Sequence, residues 1–128
     1  MKRYFFAITA VIWMFMIFTL SSMPADQLGP DTGIVNFFKK IGHVLIFGVL
    51  ATLYLWSFKG GKSLAETSLP RFALSFILTV LYAFSDEYHQ SFTPGRHAAV
   101  KDVVIDACGA IIFLGSLYGV QSRRKRTP

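Results

Sequence analysis

Four stretches of predominantly apolar residues, each about long enough to cross a lipid bilayer, constrain this chain more than any other feature. They lie at about residues 4–22, 34–58, 71–90 and 100–120. A membrane-spanning α-helix needs roughly 17 to 25 such residues, and its backbone polar groups bond inside the helix because the bilayer core holds no water. Only 16% of the residues are charged, against roughly a quarter in soluble domains. We therefore predict an all-α integral membrane four-helix bundle that forms a single domain over residues 1–128.

Positively charged residues near the ends of these segments indicate which side of the membrane each end faces. They cluster at the N-terminus, in the second loop and in the tail, at Lys2, Arg3, Lys59, Lys62, Arg71 and residues 123–126. Loops that stay in the cytoplasm carry an excess of Lys and Arg. We therefore predict that both termini are cytoplasmic and that the first and third loops lie outside.

Three features could suggest other classes of protein. The first apolar segment has the basic start of a signal peptide, but its apolar run is long for that role and no A-x-A cleavage pattern follows it. The net charge of +6 does not indicate nucleic acid binding, because the basic residues lie at segment ends, where they contact anionic lipid. The single cysteine, Cys108, excludes an internal disulfide, and we interpret it as a small packing residue.

Polar and ionisable residues gather where the predicted helices meet the outer membrane surface. Every helix contributes at its outer end, and the third loop adds an arginine: Ser21, Ser22, Lys40, His43, Tyr82, Asp86, Glu87, His89, Gln90, Arg96, Asp102 and Asp106. Residues three or four apart share a helix face, so Tyr82, Asp86 and His89 form one stripe, and Asp86 also faces Gln90. Ionisable groups beside a bilayer are costly, which makes this cluster the predicted functional site.

Asp106 is the deepest acid of this cluster. It lies about 6 Å below Asp102, since a helix rises about 1.5 Å per residue. An unpaired acid at that depth is costly, so we expect Arg96 to pair with Asp102 or Asp106 when no ligand is bound. Plainer interpretations stay open: a structural Arg96–Asp106 ion pair, Asp102 as a helix cap, His43 as a hydrogen-bonded packing residue, and His97 as a solvated loop residue.

Metal and nucleophile chemistry are weaker interpretations of the same residues. The histidines and acids could supply nitrogen and oxygen ligands, but no HExxH-type pattern is present, and Asp86-x-x-His89 is a weak signal by itself. A serine nucleophile with a histidine is weaker still. We therefore predict no metal and no cofactor. Arg96, on the turn with Pro94 and Gly95, could instead hold a phosphate or carboxylate through its planar guanidinium group.

Four motifs from about Ser21 to Gly109 carry a family resemblance. They are Ser21-Ser22-Met23-Pro24, then Lys40-Ile41-Gly42-His43 with Phe47-Gly48, then the run from Tyr82 to Arg96, and finally the run from Asp102 to Gly109. Together they resemble the VanZ-like family of small bacterial membrane proteins, whose name comes from a protein linked to teicoplanin resistance. The third and fourth motifs are the specific ones. The resemblance implies a multi-pass protein of the bacterial cytoplasmic membrane with a role at the envelope, and it implies no known reaction.

Two sets of residues follow from the cluster, each with a predicted role. Proton transfer is assigned to His43, Asp86, Glu87, His89 and Asp106. Substrate binding is assigned to Lys40, Tyr82, Gln90, Arg96 and Asp102. As an enzyme, the protein would perform acid–base chemistry on a lipid or envelope precursor. As a non-catalytic protein, it would bind a lipid headgroup or envelope ligand, or belong to a transport or partner complex. The third alternative is a purely structural polar network. The predicted partners are membrane lipid and an anionic lipid or cell-wall precursor.

Overall fold

A computed structural model describes residues 2–29, 32–60, 62–96 and 98–124. Its four α-helices are α1 Lys2–Ser21, α2 Gly33–Lys59, α3 Leu69–Gln90 and α4 Val100–Arg124. Two short 3₁₀ helices, Ala25–Leu28 and Leu64–Glu66, lie in the first and second loops. His97 and two residues of the basic tail, Lys125 and Arg126, lie outside the described residues.

The predicted all-α membrane bundle is confirmed. Each of the four α-helices is long and apolar enough to span a membrane, judged by length and composition. The bounds of α1, α2 and α3 differ from the predicted ranges by one or two residues, and α4 continues past residue 120 to Arg124. The side of the membrane that the termini face stays a prediction.

Local chemistry explains where α2 begins and ends. The side chain of Thr32 accepts a hydrogen bond from the backbone N–H of Val35 at 3.3 Å, which caps the first turn. The helix ends at Gly60, whose φ of 61° lies in the left-handed region that glycine adopts at little cost. Beyond the helices, the backbone N–H of Ala25 donates to the carbonyl of Pro94 at 3.2 Å. This bond joins the first loop to the third.

Helix α2 is the centre of the bundle. It contacts each of the other three α-helices, most extensively α4. At Gly109 of α4 a Cβ atom would collide with the carbonyl of Val44 and lie 2.9 Å from its Cα. At Gly48 of α2 a Cβ would collide with the ring of Phe113. Small residues at these two positions let the helices approach closely, which is how helices commonly pack in membranes.

Two apolar clusters fill the interior of the bundle. One consists of Ile17, Phe47, Leu50, Ala83 and Val103. The other consists of Ala51, Leu55, Phe72, Ala110 and Leu114. Large apolar side chains also cover the outside, among them Phe5, Ile12, Phe15, Ile77 and Ile112. A soluble domain rarely exposes so much apolar surface, whereas a membrane bundle turns it toward lipid.

The bundle has two ends, which we name the site end and the opposite end. The site end is made of the last turns of α1 and α3, the first turns of α2 and α4, and the first and third loops. The opposite end is made of the other helix termini and the second loop. Every residue of the predicted polar cluster lies in the half of the bundle nearer the site end.

Candidate functional site

A cavity of about 270 Å³ lies at the site end, where the first turns of α2 and α4 meet the last turns of α3. Its lining combines charged, polar and apolar side chains: Asn36, Lys39, Lys40, His43, Glu87, Gln90, Arg96, Lys101, Asp102 and Ile105. Four of these side chains are basic and two are acidic, so positive charge predominates in the cavity.

A histidine and an aspartate form the deepest polar contact of the site. Nδ1 of His43 lies 3.0 Å from Oδ1 of Asp106. The Asp106 side chain is fully buried, while that of His43 is 30% exposed and lines the cavity. An ionised carboxylate can only accept, so Nδ1 donates to it, and no hydrogen bond of Nε2 is found among the described residues. A buried carboxylate of this kind holds an imidazole in one tautomer and one orientation.

The close contact between α2 and α4 explains why these two residues pair. Gly109 packs against the backbone of Val44. His43 precedes Val44 in α2, and Asp106 lies one turn before Gly109 in α4. The approach that leaves no room for a side chain at Gly109 therefore also brings the imidazole to the carboxylate.

The expected ion pair between Arg96 and Asp102 or Asp106 is wrong. Asp106 pairs with His43, and Arg96 forms no salt bridge with any carboxylate among the described residues. Nε of Arg96 is buried and has no hydrogen-bond partner in that part of the chain. The physical reason is that helix packing supplies Asp106 with a partner from α2, which leaves the guanidinium of the third loop at the cavity.

On α3, the predicted shared face of Asp86 and Gln90 is formed. Nε2 of Gln90 donates to Oδ2 of Asp86 at 2.7 Å and to Oγ of Ser21 at 3.3 Å. Asp86 is buried and does not line the cavity, and its Oδ1 has no partner among the described residues. Glu87 lines the cavity, and one of its carboxylate oxygens accepts the backbone N–H of Ala99 at 2.9 Å. Glu87 thus ties the third loop to α3.

His89 turns away from the cavity, toward α1. Its ring stacks on Phe18 with 4.2 Å between ring centroids, and Nε2 lies 2.9 Å from Oγ of Ser22. The Ser22 hydroxyl has one proton and donates it to the Phe18 carbonyl at 2.7 Å. Nε2 of His89 is then the donor to Ser22, so this geometry does not make His89 a base for that hydroxyl.

Tyr82 also lies outside the cavity. Its hydroxyl donates to the backbone carbonyl of Met14 at 2.6 Å and so joins α3 to α1. The other four residues assigned to substrate binding all line the cavity: Lys40, Gln90, Arg96 and Asp102. The catalytic and binding roles themselves stay predictions. Among the described residues, no group of three or more His, Cys, Asp and Glu side chains is arranged to hold a metal ion.

Sequence reasoning did not assign a role to four lining residues, namely Asn36, Lys39, Lys101 and Ile105. Helical spacing indicates three of them. Asn36 lies four residues before Lys40, and Lys39 lies four residues before His43, so both share a face of α2 with an assigned residue. Ile105 lies three residues after Asp102 on α4 in the same way, whereas no assigned residue lies three or four positions from Lys101.

Comparisons with known proteins indicate the family of the chain. The VanZ/LLP1 family model matches residues 6–121 of the chain. A curated relative, the "Uncharacterized membrane protein YwnJ" of Bacillus subtilis (strain 168), is 37% identical over 90 residues. Those residues cover 70% of this chain and 55% of the relative, so the chain spans about half the length of that protein. No solved structure matches the chain. Since the family model extends over nearly the whole sequence and all four of its helices, this membrane protein belongs to the VanZ-like family.

Proposed function

We propose that the cavity binds the anionic headgroup of a lipid or envelope precursor, and that His43 and Asp106 transfer a proton to or from that headgroup. The observation that carries this proposal is the set of basic side chains in one small cavity: Lys39, Lys40, Arg96 and Lys101. None of them forms a salt bridge with a carboxylate of the described residues.

An anion in the cavity would remove an electrostatic cost. Like charges held within a few ångströms repel, and more strongly where low-dielectric protein and lipid replace water. A phosphate group offers several oxygens to several cations at once, and arginine binds such groups through two parallel hydrogen bonds. The buried and unpartnered Nε of Arg96 supports a ligand of this chemistry.

The pair of His43 and Asp106 supports the acid–base part of the proposal. Histidine changes its charge near neutral pH, and the fully buried carboxylate at Nδ1 fixes the orientation of the ring. Nε2 is then the atom that gives or takes a proton at the headgroup. A positioned general acid or base of this kind typically contributes a factor of about 10² to 10⁴ to a reaction rate.

The proposed location of the site is the outer leaflet of the bacterial cytoplasmic membrane. Basic residues at the opposite end support it, because Lys59, Lys62 and Arg71 are typical of a cytoplasmic loop. A Ser91→Cys substitution in a Cys108→Ala background tests the orientation, since Ser91 is exposed beside the site. We expect a membrane-impermeant maleimide to label this thiol in intact spheroplasts. Labelling only after permeabilisation would contradict the orientation.

The second candidate function is non-catalytic binding of the same kind of ligand. It is favoured because two of the residues assigned to proton transfer already contact other parts of the protein. A backbone N–H occupies one oxygen of Glu87, and Phe18 of α1 and the following Ser22 hold His89. Glu87 and His89 then have structural roles, and the basic side chains of the cavity alone would bind the ligand.

Mass spectrometry of lipids separates the two candidate functions. Wild-type protein and the His43→Gln variant are each placed in nanodiscs made from a bacterial lipid extract. If the protein is an enzyme, the wild type changes the mass of at least one anionic lipid, and the variant binds that lipid without changing it. If the wild type enriches an anionic lipid and changes none, the acid–base part of the proposal fails and the binding function stands.

A further inference from the structure

An apolar groove of about 190 Å³ lies beside the cavity, between α1 and α2. Its walls are mainly Ile17, Leu20, Ile46 and Phe47. Gly42 lies on its α2 side, and a Cβ atom placed there would meet no atom within 4 Å. The groove is therefore open at Gly42, where α2 has no side chain.

The groove and the cavity adjoin each other. Three side chains line both of them: Lys39, His43 and Arg96. The cavity exposes polar and apolar surface in about equal amounts, with an excess of positive charge, and the surface of the groove is mostly apolar. The two compartments thus match the two parts of an anionic amphiphile, and the shared residues lie where a headgroup would join its chain.

Resting on the proposed function, we propose that a single anionic phospholipid occupies both compartments. Its phosphate lies in the cavity, and the first part of one acyl chain lies in the groove between α1 and α2. His43 and Arg96 stand at the junction, so Nε2 of His43 faces the linkage between phosphate and chain rather than the far end of the headgroup.

The membrane environment supports different roles for the cavity and the groove in binding the lipid. A chain in the bilayer is already in hydrocarbon, so the groove gains none of the free energy that apolar burial gives in water. The cations supply the affinity, and the groove selects which phosphate-bearing molecule fits and in which orientation. A soluble phosphate ester would leave the groove empty.

The groove has room for part of one chain. It lies between two helices that pack against each other, and its volume is about 190 Å³. We assign the groove to an acyl chain, because acyl chains form the hydrocarbon layer around a membrane-spanning helix bundle, and treat the isoprenyl alternative as an outcome of the test.

The test fills the groove without altering the cavity. Gly42→Leu places a side chain in the open space of the groove, and Gly119→Leu is the matched control, because Gly119 also faces open space and lies near the opposite end. Affinities of the full-length protein are measured by native mass spectrometry for two probes. Dioleoyl phosphatidic acid has headgroup and chains, and glycerol phosphate has the headgroup alone.

We expect Gly42→Leu to weaken binding of dioleoyl phosphatidic acid by about tenfold, or about 1.4 kcal/mol, and to leave the affinity for glycerol phosphate unchanged. Gly42→Ala should give a smaller loss of the same kind and serves if the leucine variant does not fold. The Gly119→Leu control should bind both probes like the wild type.

Separate outcomes overturn the inference and the proposed function. Equal effects of Gly42→Leu on both probes, or no effect on either, would overturn the groove assignment. Tighter wild-type binding of undecaprenyl phosphate than of dioleoyl phosphatidic acid, reduced by Gly42→Leu, would overturn the choice of an acyl chain. Wild-type protein that prefers neither anionic probe over dioleoyl phosphatidylcholine would overturn the proposed function itself.

Discussion

Both ends of the bundle bury polar groups, but they satisfy them in different ways. At the opposite end, Nε2 of Gln121 donates to the carbonyls of Ala65 at 3.2 Å and Thr67 at 2.6 Å, which closes the second loop onto α4. The hydroxyls of Ser57 and Ser75 donate to carbonyls one turn earlier in their own helices. These hydrogen bonds either stay within one helix or attach the second loop to α4, and none of them joins an acidic side chain to a basic one.

The site end leaves more of its polar atoms without partners. Among the described residues, the buried side-chain atoms that lack a hydrogen-bond partner are Oδ1 of Asp86, Nε of Arg96, Oδ2 of Asp106 and Oε1 of Gln121. Three of these four belong to the site end. Each such group costs about 1 to 3 kcal/mol of folding free energy. Natural proteins tolerate costs of this kind where function requires the group, so this difference between the ends supports the binding role that we propose for the site end.

The largest expected effect is a loss of stability at both ends of the bundle, because both ends depend on the contact between α2 and α4. Gly109→Ala forces a Cβ into the backbone of Val44, which cannot move aside as a flexible side chain would. We expect a loss of about 3 kcal/mol in the free energy of unfolding, measured by thermal unfolding in detergent. Gly119→Ala, at an open position, is the control. Equal melting temperatures for the two variants would contradict the close contact.

The second prediction concerns the buried pair of the site end. Asp106→Asn keeps the size of the side chain and removes its charge, so turnover of the lipid identified in nanodiscs should fall by about 100-fold, with little change in thermal stability. His43→Gln should have a similar effect. The double variant should be no slower than the slower single variant, because groups that act as one unit are not additive. If the fold-loss of turnover in the double variant equals the product of the two single losses, the two residues act separately.

The third prediction concerns the difference between the planar guanidinium group of arginine and the compact ammonium group of lysine at the cavity. Arg96→Lys keeps a positive charge and loses the bidentate geometry, so affinity for dioleoyl phosphatidic acid should fall by about tenfold. Arg71→Lys makes the same change at the opposite end and should leave the affinity unaltered. Titration of both variants by native mass spectrometry measures the effect. An unchanged affinity in Arg96→Lys would count against a phosphate contact at this residue.

The smallest expected effect lies at the opposite end and falls on stability alone. Gln121→Ala removes two hydrogen bonds to the second loop, and water at the membrane surface compensates part of the loss. We expect a decrease of about 1 kcal/mol in the free energy of unfolding and no change in lipid affinity. Ser122→Ala, which removes an exposed bond within α4, is the neighbouring control and should stay within about 0.5 kcal/mol of the wild type. A loss of lipid affinity in Gln121→Ala would break the division between the two ends.

Much of the site could be predicted from the sequence, because the helix repeat determines which residues share a face. Asp86 and Gln90 are four residues apart and are hydrogen-bonded, as their spacing predicts. Helical spacing does not determine how far each helix is rotated about its axis. The rotation of α3 directs His89 and Tyr82 toward α1, and neither residue lines the cavity. The same limit explains why Lys101, on α4, received no assignment.

The sequence by itself determined the number, type and approximate bounds of the helices. Apolar length and the scarcity of charge leave a chain in a membrane few alternatives to spanning helices. The sequence also placed the polar residues at one end of the bundle. Successive helices run in opposite directions, and the polar residues lie near the C-termini of the first and third helices and near the N-termini of the second and fourth. Only the tertiary structure decided which partners meet. The contact of Gly109 with Val44 pairs Asp106 with His43 and leaves Arg96 at the cavity. Contacts between helices depend on how two whole surfaces fit together, and no spacing within one helix contains that information.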